Sequence, residues 1–163
     1  MRTRLLVLVT ATISTILVAA PANAAGTVVT GAQTPVFSGP CFDATEAFST
    51  TMDGGLLGCW YGDTFVLTSE HPSGTITASG TEHFVGCLDT DGDGTCGGTD
   101  PTGTFSTTYT FTAKYDASGA EIHGRCSHPI VSGTGGFEGV SGIVEFTDDV
   151  TTGISYYTGV VRL

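Results

Sequence analysis

Cations are scarce in this chain: five Lys and Arg stand against 16 Asp and Glu, for a formal charge of −11. Affinity for nucleic acid comes largely from Lys and Arg displacing counterions from phosphates, so no DNA or RNA partner is expected. The G-x-S-x-G, H-E-x-x-H, P-loop and dinucleotide patterns are also missing, which removes support for the enzymes built on them. Glu70-His71, Glu82-His83 and His123 lack zinc-ligand spacing, and no catalytic residue is assigned from the sequence. Past residue 24 there is neither a sustained 3.6-residue apolar period nor a second long apolar run, so neither core helices nor a membrane span are expected there.

The first 24 residues read as a leader. Arg2 and Arg4 precede the apolar stretch Leu5 to Ala20, and Ala22-Asn23-Ala24 has the small-x-small form of a signal-peptidase site. The expected organisation is a secretory signal peptide at 1–24 and a single extracellular domain at 25–163. Cleavage would leave Lys114, Arg125 and Arg162 against the same 16 acids, a net charge of −13. Such a surface attracts divalent cations and is repelled by anionic lipid.

The rest is rich in Thr, Ser, Gly, Val and aromatics and reads as all-β. From Thr104 to Tyr115 the alternation is strict: Phe105, Tyr109, Phe111, Ala113 and Tyr115 share one face, and Thr and Lys residues share the other. One face is therefore buried and the other wet. Further strands are expected over 27–37, 56–70 with a break near Gly62, 75–87, 121–132, 142–146 and 154–163. Turn signals such as His71-Pro72-Ser73-Gly74 and Asp116-Ala117-Ser118-Gly119 separate several of them. The pattern predicts a single antiparallel up-and-down β-barrel of about eight strands, with a two-sheet sandwich as the alternative. Asp43 to Met52 could hold one helical turn, Asp43 capping and Glu46 three residues on.

The run Ser132-Gly133-Thr134-Gly135-Gly136-Phe137-Glu138-Gly139-Val140-Ser141-Gly142 resembles the signature of allene oxide cyclase-like and dirigent-like barrels. The resemblance implies an eight-stranded antiparallel barrel with a mostly apolar interior. Physically, closely spaced Gly lets a strand bend at a barrel rim, with Phe137 tucked beneath. The motif lies at 133–142 and carries over no catalytic side chain. The cysteines and an Asp-rich insertion depart from the plant members.

In an exported protein the five cysteines are first read as disulfide partners. Cys87 and Cys96 flank a short loop and make the favoured pair. Among Cys41, Cys59 and Cys126, pairing of Cys41 with Cys59 is favoured because it ties a polar excursion to its neighbouring strand. Cys126 then remains as a free thiol or an alternative partner for Cys59. A nucleophilic Cys126 helped by His128 is a second reading, since residues two apart on a strand point the same way.

The segment from Asp89 to Asp100 matches a twelve-residue EF-hand-like calcium loop, with Asp at positions 1, 3 and 5 and Gly94 at 6. Asp89, Asp91, Asp93 and Asp100 would supply carboxylates, Thr95 its carbonyl, and Gly97 a water-mediated contact. Asp100 replaces the usual Glu and is one methylene shorter, which predicts weak affinity. The same residues also suit a plain Asp/Gly turn.

Glu82 shares the alternation of Ile76, Ala78 and Phe84, which would turn a carboxylate inward. Burial is costly without a partner, and Arg125 or His123 could supply one. A local bulge turning Glu82 to solvent is the preferred reading. Trp60, Tyr61, Phe65, Tyr109, Phe111, Tyr156 and Tyr157 could line a cavity or simply fill the core. The leading functional expectation is a secreted, noncatalytic binding or scaffold barrel with a structural calcium and a small apolar ligand. The alternatives are a cofactor-independent cyclase or dirigent-like enzyme, and an extracellular interaction protein with a filled barrel.

Overall fold

The computed structural model describes residues 25–163; the leader read at 1–24 lies outside them. Nine strands follow one another: β1 (Thr27–Pro35), β2 (Phe48–Met52), β3 (Leu56–Gly62), β4 (Val66–His71), β5 (Thr75–Leu88), β6 (Thr102–Tyr115), β7 (Glu121–Gly135), β8 (Ser141–Asp149) and β9 (Ile154–Arg162). Their order is β3-β2-β1-β9-β8-β7-β6-β5-β4, all antiparallel, and β3 also pairs with β5. That extra pairing closes eight strands into a barrel and leaves β4 bonded outside. Closure removes the sheet edges a sandwich would keep.

The long segment interrupted at Gly62 explains the ninth strand. β3 pairs with the second half of β5, from Glu82 to Leu88, and β4 with its first half, from Thr75 to Ser79. Between them the chain steps away from the barrel wall, so every residue of β4 is exposed. The segment from Asp43 to Met52 corrects the helical expectation. Asp43 Oδ1 accepts from the Thr45 amide and hydroxyl, forming a single turn, and the chain then enters β2. Here sheet pairing with β1 and β3 overrides a weak local helix signal.

The alternation in β6 sets the pattern of the interior: Phe105, Thr107, Tyr109 and Ala113 are buried while Thr108 and Thr110 are exposed. One end of the barrel is packed solid. Leu56, Leu88, Phe84, Phe105 and Phe137 have no exposure there, and Phe137 meets Phe105 edge-on at 5.2 Å. Phe137 belongs to the Gly-rich turn between β7 and β8. Gly135 at φ 66° supplies the left-handed step that starts this turn. A Cβ on Gly133 would overlap the Phe137 carbonyl, so the chain can fold back on itself there only without a side chain.

Two disulfides staple the same structure. Cys41 bonds Cys59 with Cα atoms 5.2 Å apart, and Cys87 bonds Cys96 with Cα atoms 5.7 Å apart. The first ties the excursion before β2 to β3. The second pins the acidic loop to the end of β5. Cys126 is a free thiol.

Candidate functional site

At the end opposite Phe137 the barrel is not filled. A cavity of about 220 Å³ opens there, walled by Phe48, Phe65, Tyr109, Phe111 and Phe146, with Gln33 and Asp148 toward the rim. Polar groups form its floor. Glu82 is 3% exposed and His128 is also 3% exposed. Glu82 Oε2 accepts from Trp60 Nε1 at 2.5 Å and lies 2.8 Å from His128 Nε2. Trp60 backs this pair, its ring edge-on to His128 at 5.3 Å and to Phe146 at 5.2 Å.

These positions follow from strand phase. The register between β5 and β6 runs unbroken from Thr75 opposite Lys114 to Cys87 opposite Thr102. No bulge intervenes at Glu82, so it points inward with Ala78 and Phe84, which overturns the preferred reading that it faces water. On β7, Gly124, Cys126, His128 and Ile130 share the inward phase, whereas His123 and Arg125 point outward and are exposed. The partner of Glu82 is therefore His128 rather than His123 or Arg125. The β7 bulges lie elsewhere, opposite Ser106/Thr107 and Lys114/Tyr115.

Cys126 lines the cavity beside His128. Burial, with the negative charges of Glu82 and Asp148, pushes its thiol well above the usual range. At neutral pH it stays protonated, and a thiolate nucleophile gains no support. Burial and then Glu82 also raise the Tyr109 phenol to about 12, and its hydroxyl donates to the Thr64 carbonyl. Of the other aromatics, Phe65 and Phe111 line the cavity, Tyr156 is exposed, and Tyr61 stacks on His83. Tyr157 is core: its hydroxyl accepts from the Leu56 amide and donates to the Asp53 carbonyl.

A pair of carboxylates meets at the cavity's rim, Asp148 lining the cavity and Glu121 beside it. A Cβ on Gly124 would overlap both Asp148 Oδ2 and Glu121 Oε1, so this glycine leaves room for the two to converge. Partial burial and then the Asp148 charge raise the Glu121 carboxyl, and its Oε1 is buried without a partner.

The acidic loop lies at the packed end, directly after Leu88. Carboxylate oxygens of Asp89, Asp91 and Asp93 lie within 4.8 Å of one another, an arrangement that can hold a metal ion. Asp89 is held below its ordinary value by the amide of Gly94 and, less strongly, by that of Gly92. The Asp93 amide lowers Asp91, but partial desolvation and the charges of Asp93 and Asp100 turn its net direction upward. The Asp100 carboxylate accepts from Thr90 and the Gly97 amide, and the Thr95 hydroxyl donates to Asp93. Sequence reasoning also missed a surface group, Glu46, Asp63 and His83, gathered where the chain passes from β3 to β4.

The two disulfides fit an extracellular protein. Among the described residues no helix is long and apolar enough to cross a membrane. Compared with models of known families and with characterised proteins, the chain matches none. The geometry alone carries the functional reading.

Proposed function

We propose that this is a secreted binding barrel that takes a small ligand with an apolar body into the open end, and that its acidic loop is a structural calcium clasp. The observation that carries the first part is the aromatic-walled cavity ending on Glu82 and His128. Small-molecule sites combine mostly apolar lining with a few placed polar groups, and this cavity has that composition. Its volume is below the usual range of roughly 300–1,000 Å³, which restricts the ligand to about one ring and a short arm. An eight-stranded barrel is just wide enough for one such guest. The resemblance of residues 133–142 to allene oxide cyclase-like and dirigent-like barrels agrees with this architecture. A buried carboxylate–imidazole pair in an apolar cavity also favours, as a second reading, a cofactor-independent enzyme that orients or protonates a small intermediate.

Trp60 is the single tryptophan and is fully buried behind the cavity floor, so its emission reports occupancy. Nitrobenzene, a small neutral quencher, is expected to quench the Trp60 lifetime saturably, and Cys126→Phe, which fills the cavity, is expected to abolish the saturable phase. Equal, linear collisional quenching in both proteins would refute binding in the cavity.

The clasp reading rests on the Asp89, Asp91 and Asp93 oxygens, whose mutual repulsion a divalent cation relieves. If the loop binds with the dissociation constant of roughly 10⁻⁴–10⁻³ M seen in extracellular modules, about 10 mM calcium stabilises by roughly 1.4–2.7 kcal/mol. The thermal midpoint is expected to rise by several degrees relative to chelator, and Asp91→Asn to abolish the rise. Equal midpoints with calcium and chelator would remove the clasp.

A further inference from the structure

We infer that the ligand of the open cavity is a small organic cation, an ammonium carried on an apolar or aromatic body, whose charge is met at the rim by Asp148. This rests on the binding reading above and specifies its chemistry. The first argument is charge. Glu82 lies on the floor and Asp148 at the rim, and no Lys or Arg lines the cavity. A guest carrying a carboxylate would meet like charges at both ends of its path. The whole domain, with three cations against 16 acids after residue 24, steers cations toward the mouth and anions away.

The second argument is hydrogen-bonding polarity. The donors at the cavity are largely engaged by the barrel itself. Trp60 Nε1 gives its proton to Glu82, Tyr109 donates to the Thr64 carbonyl, and Gln33 Nε2 donates to Thr50 Oγ1. Acceptors remain. The carboxylate of Asp148 borders the cavity, its Oδ1 accepting from Ser155 Oγ and its Oδ2 converging with Glu121 over Gly124, and Glu121 has a buried oxygen with no partner. His128 is 3% exposed, lines the cavity, and has an unpartnered Nδ1. Such a site is completed by a guest that donates protons.

The third argument is the wall. Phe48, Phe65, Phe111 and Phe146 present aromatic surface between floor and rim. Their negative π-faces attract a cation, and they do so more strongly where water is excluded. Glu121 and Asp148 converge over Gly124 with Tyr115 as a neighbour of the pair. Burial, and then the Asp148 charge, raise Glu121, and an entering ammonium offsets the second of these.

The test compares three probes of one size, 2-phenylethylammonium, 2-phenylethanol and phenylacetate, on the full folded domain by calorimetry with Trp60 emission as the cavity-specific readout. Salt at about 0.15 M screens general attraction to the acidic surface. The ammonium is expected to bind roughly tenfold tighter than the alcohol, and phenylacetate to give no saturable signal. Asp148→Asn is expected to cut the ammonium's advantage roughly fivefold while leaving the alcohol within about twofold, which also shows that the variant is folded. Glu121→Gln, at the same rim, is expected to lower it in the same direction and serves if Asp148→Asn does not fold. Alcohol binding with no gain for the ammonium overturns the cation assignment and leaves the cavity reading standing. An ammonium preference untouched by both rim variants overturns the role of Asp148. If none of the probes binds, both readings fall.

Discussion

Phe137→Ala is expected to lower the unfolding free energy by roughly 3–5 kcal/mol in a denaturant titration, although the residue sits in a Gly-rich turn. Turn residues normally tolerate substitution because they lie at the surface. Phe137 has no exposure and inserts into the packed end, edge-on to Phe105 at 5.2 Å and to Phe84 at 6.0 Å. Truncation leaves a cavity among rings whose backbones are fixed by closed sheet pairing, so little collapse can offset the loss. The neighbouring Glu138 is exposed, and Glu138→Ala is expected to change stability by less than about 0.5 kcal/mol. A loss below about 1 kcal/mol for Phe137→Ala would mean that the turn does not plug the barrel.

Breaking the polar floor should be nearly as costly. Glu82→Leu leaves the Trp60 indole N–H and His128 Nε2 without their shared acceptor, and His128→Leu strips Glu82 of a donor. Removing one member of a buried pair typically costs about 3–5 kcal/mol, because the remaining group is left desolvated and uncompensated. The double variant Glu82→Leu/His128→Leu removes both at once and is expected to be more stable than the sum of the single losses predicts, by about 2 kcal/mol or more. Strict additivity in this cycle would show that the two side chains do not interact.

Much of the fold was legible because its signals are local. The Thr-aromatic alternation of Thr104 to Tyr115 fixes which face of β6 is inside, and the Gly62 break marks where β4 leaves the wall. The short spacing of Cys87 and Cys96 pointed to their bridge. The strand Phe48–Met52 was not legible, because Asp43 and Glu46 imitate a helix start and the pairing with β1 and β3 is long-range.

The candidate site was half visible. Inward alternation at Glu82 was present in the sequence, but the cost of burying a lone carboxylate argued for a bulge. What resolves that conflict is His128, on a strand 46 residues later in the chain, and Trp60 from β3. The shared phase of Cys126 and His128 was the available clue, since it places Arg125 and His123 on the opposite face. Asp148 and Glu121 gave no signal, because their convergence depends on a missing side chain at Gly124 across the sheet. In the acidic loop the alternating Asp89, Asp91 and Asp93 gather as their spacing suggests, and Asp100 also accepts from Thr90, a bond no spacing rule contains.

The central claim is that a carboxylate stands inside the barrel, tied to the indole of Trp60 and the imidazole of His128. Hydrogen exchange of the single indole N–H, followed by NMR in the uniformly ¹⁵N-labelled protein, tests it most directly. The account predicts one strongly shifted indole resonance that survives transfer to D₂O long after the amides of exposed turns have vanished, and that exchanges quickly in Glu82→Leu. An indole signal lost within seconds in the unmodified protein, or one unmoved by that substitution, would contradict it.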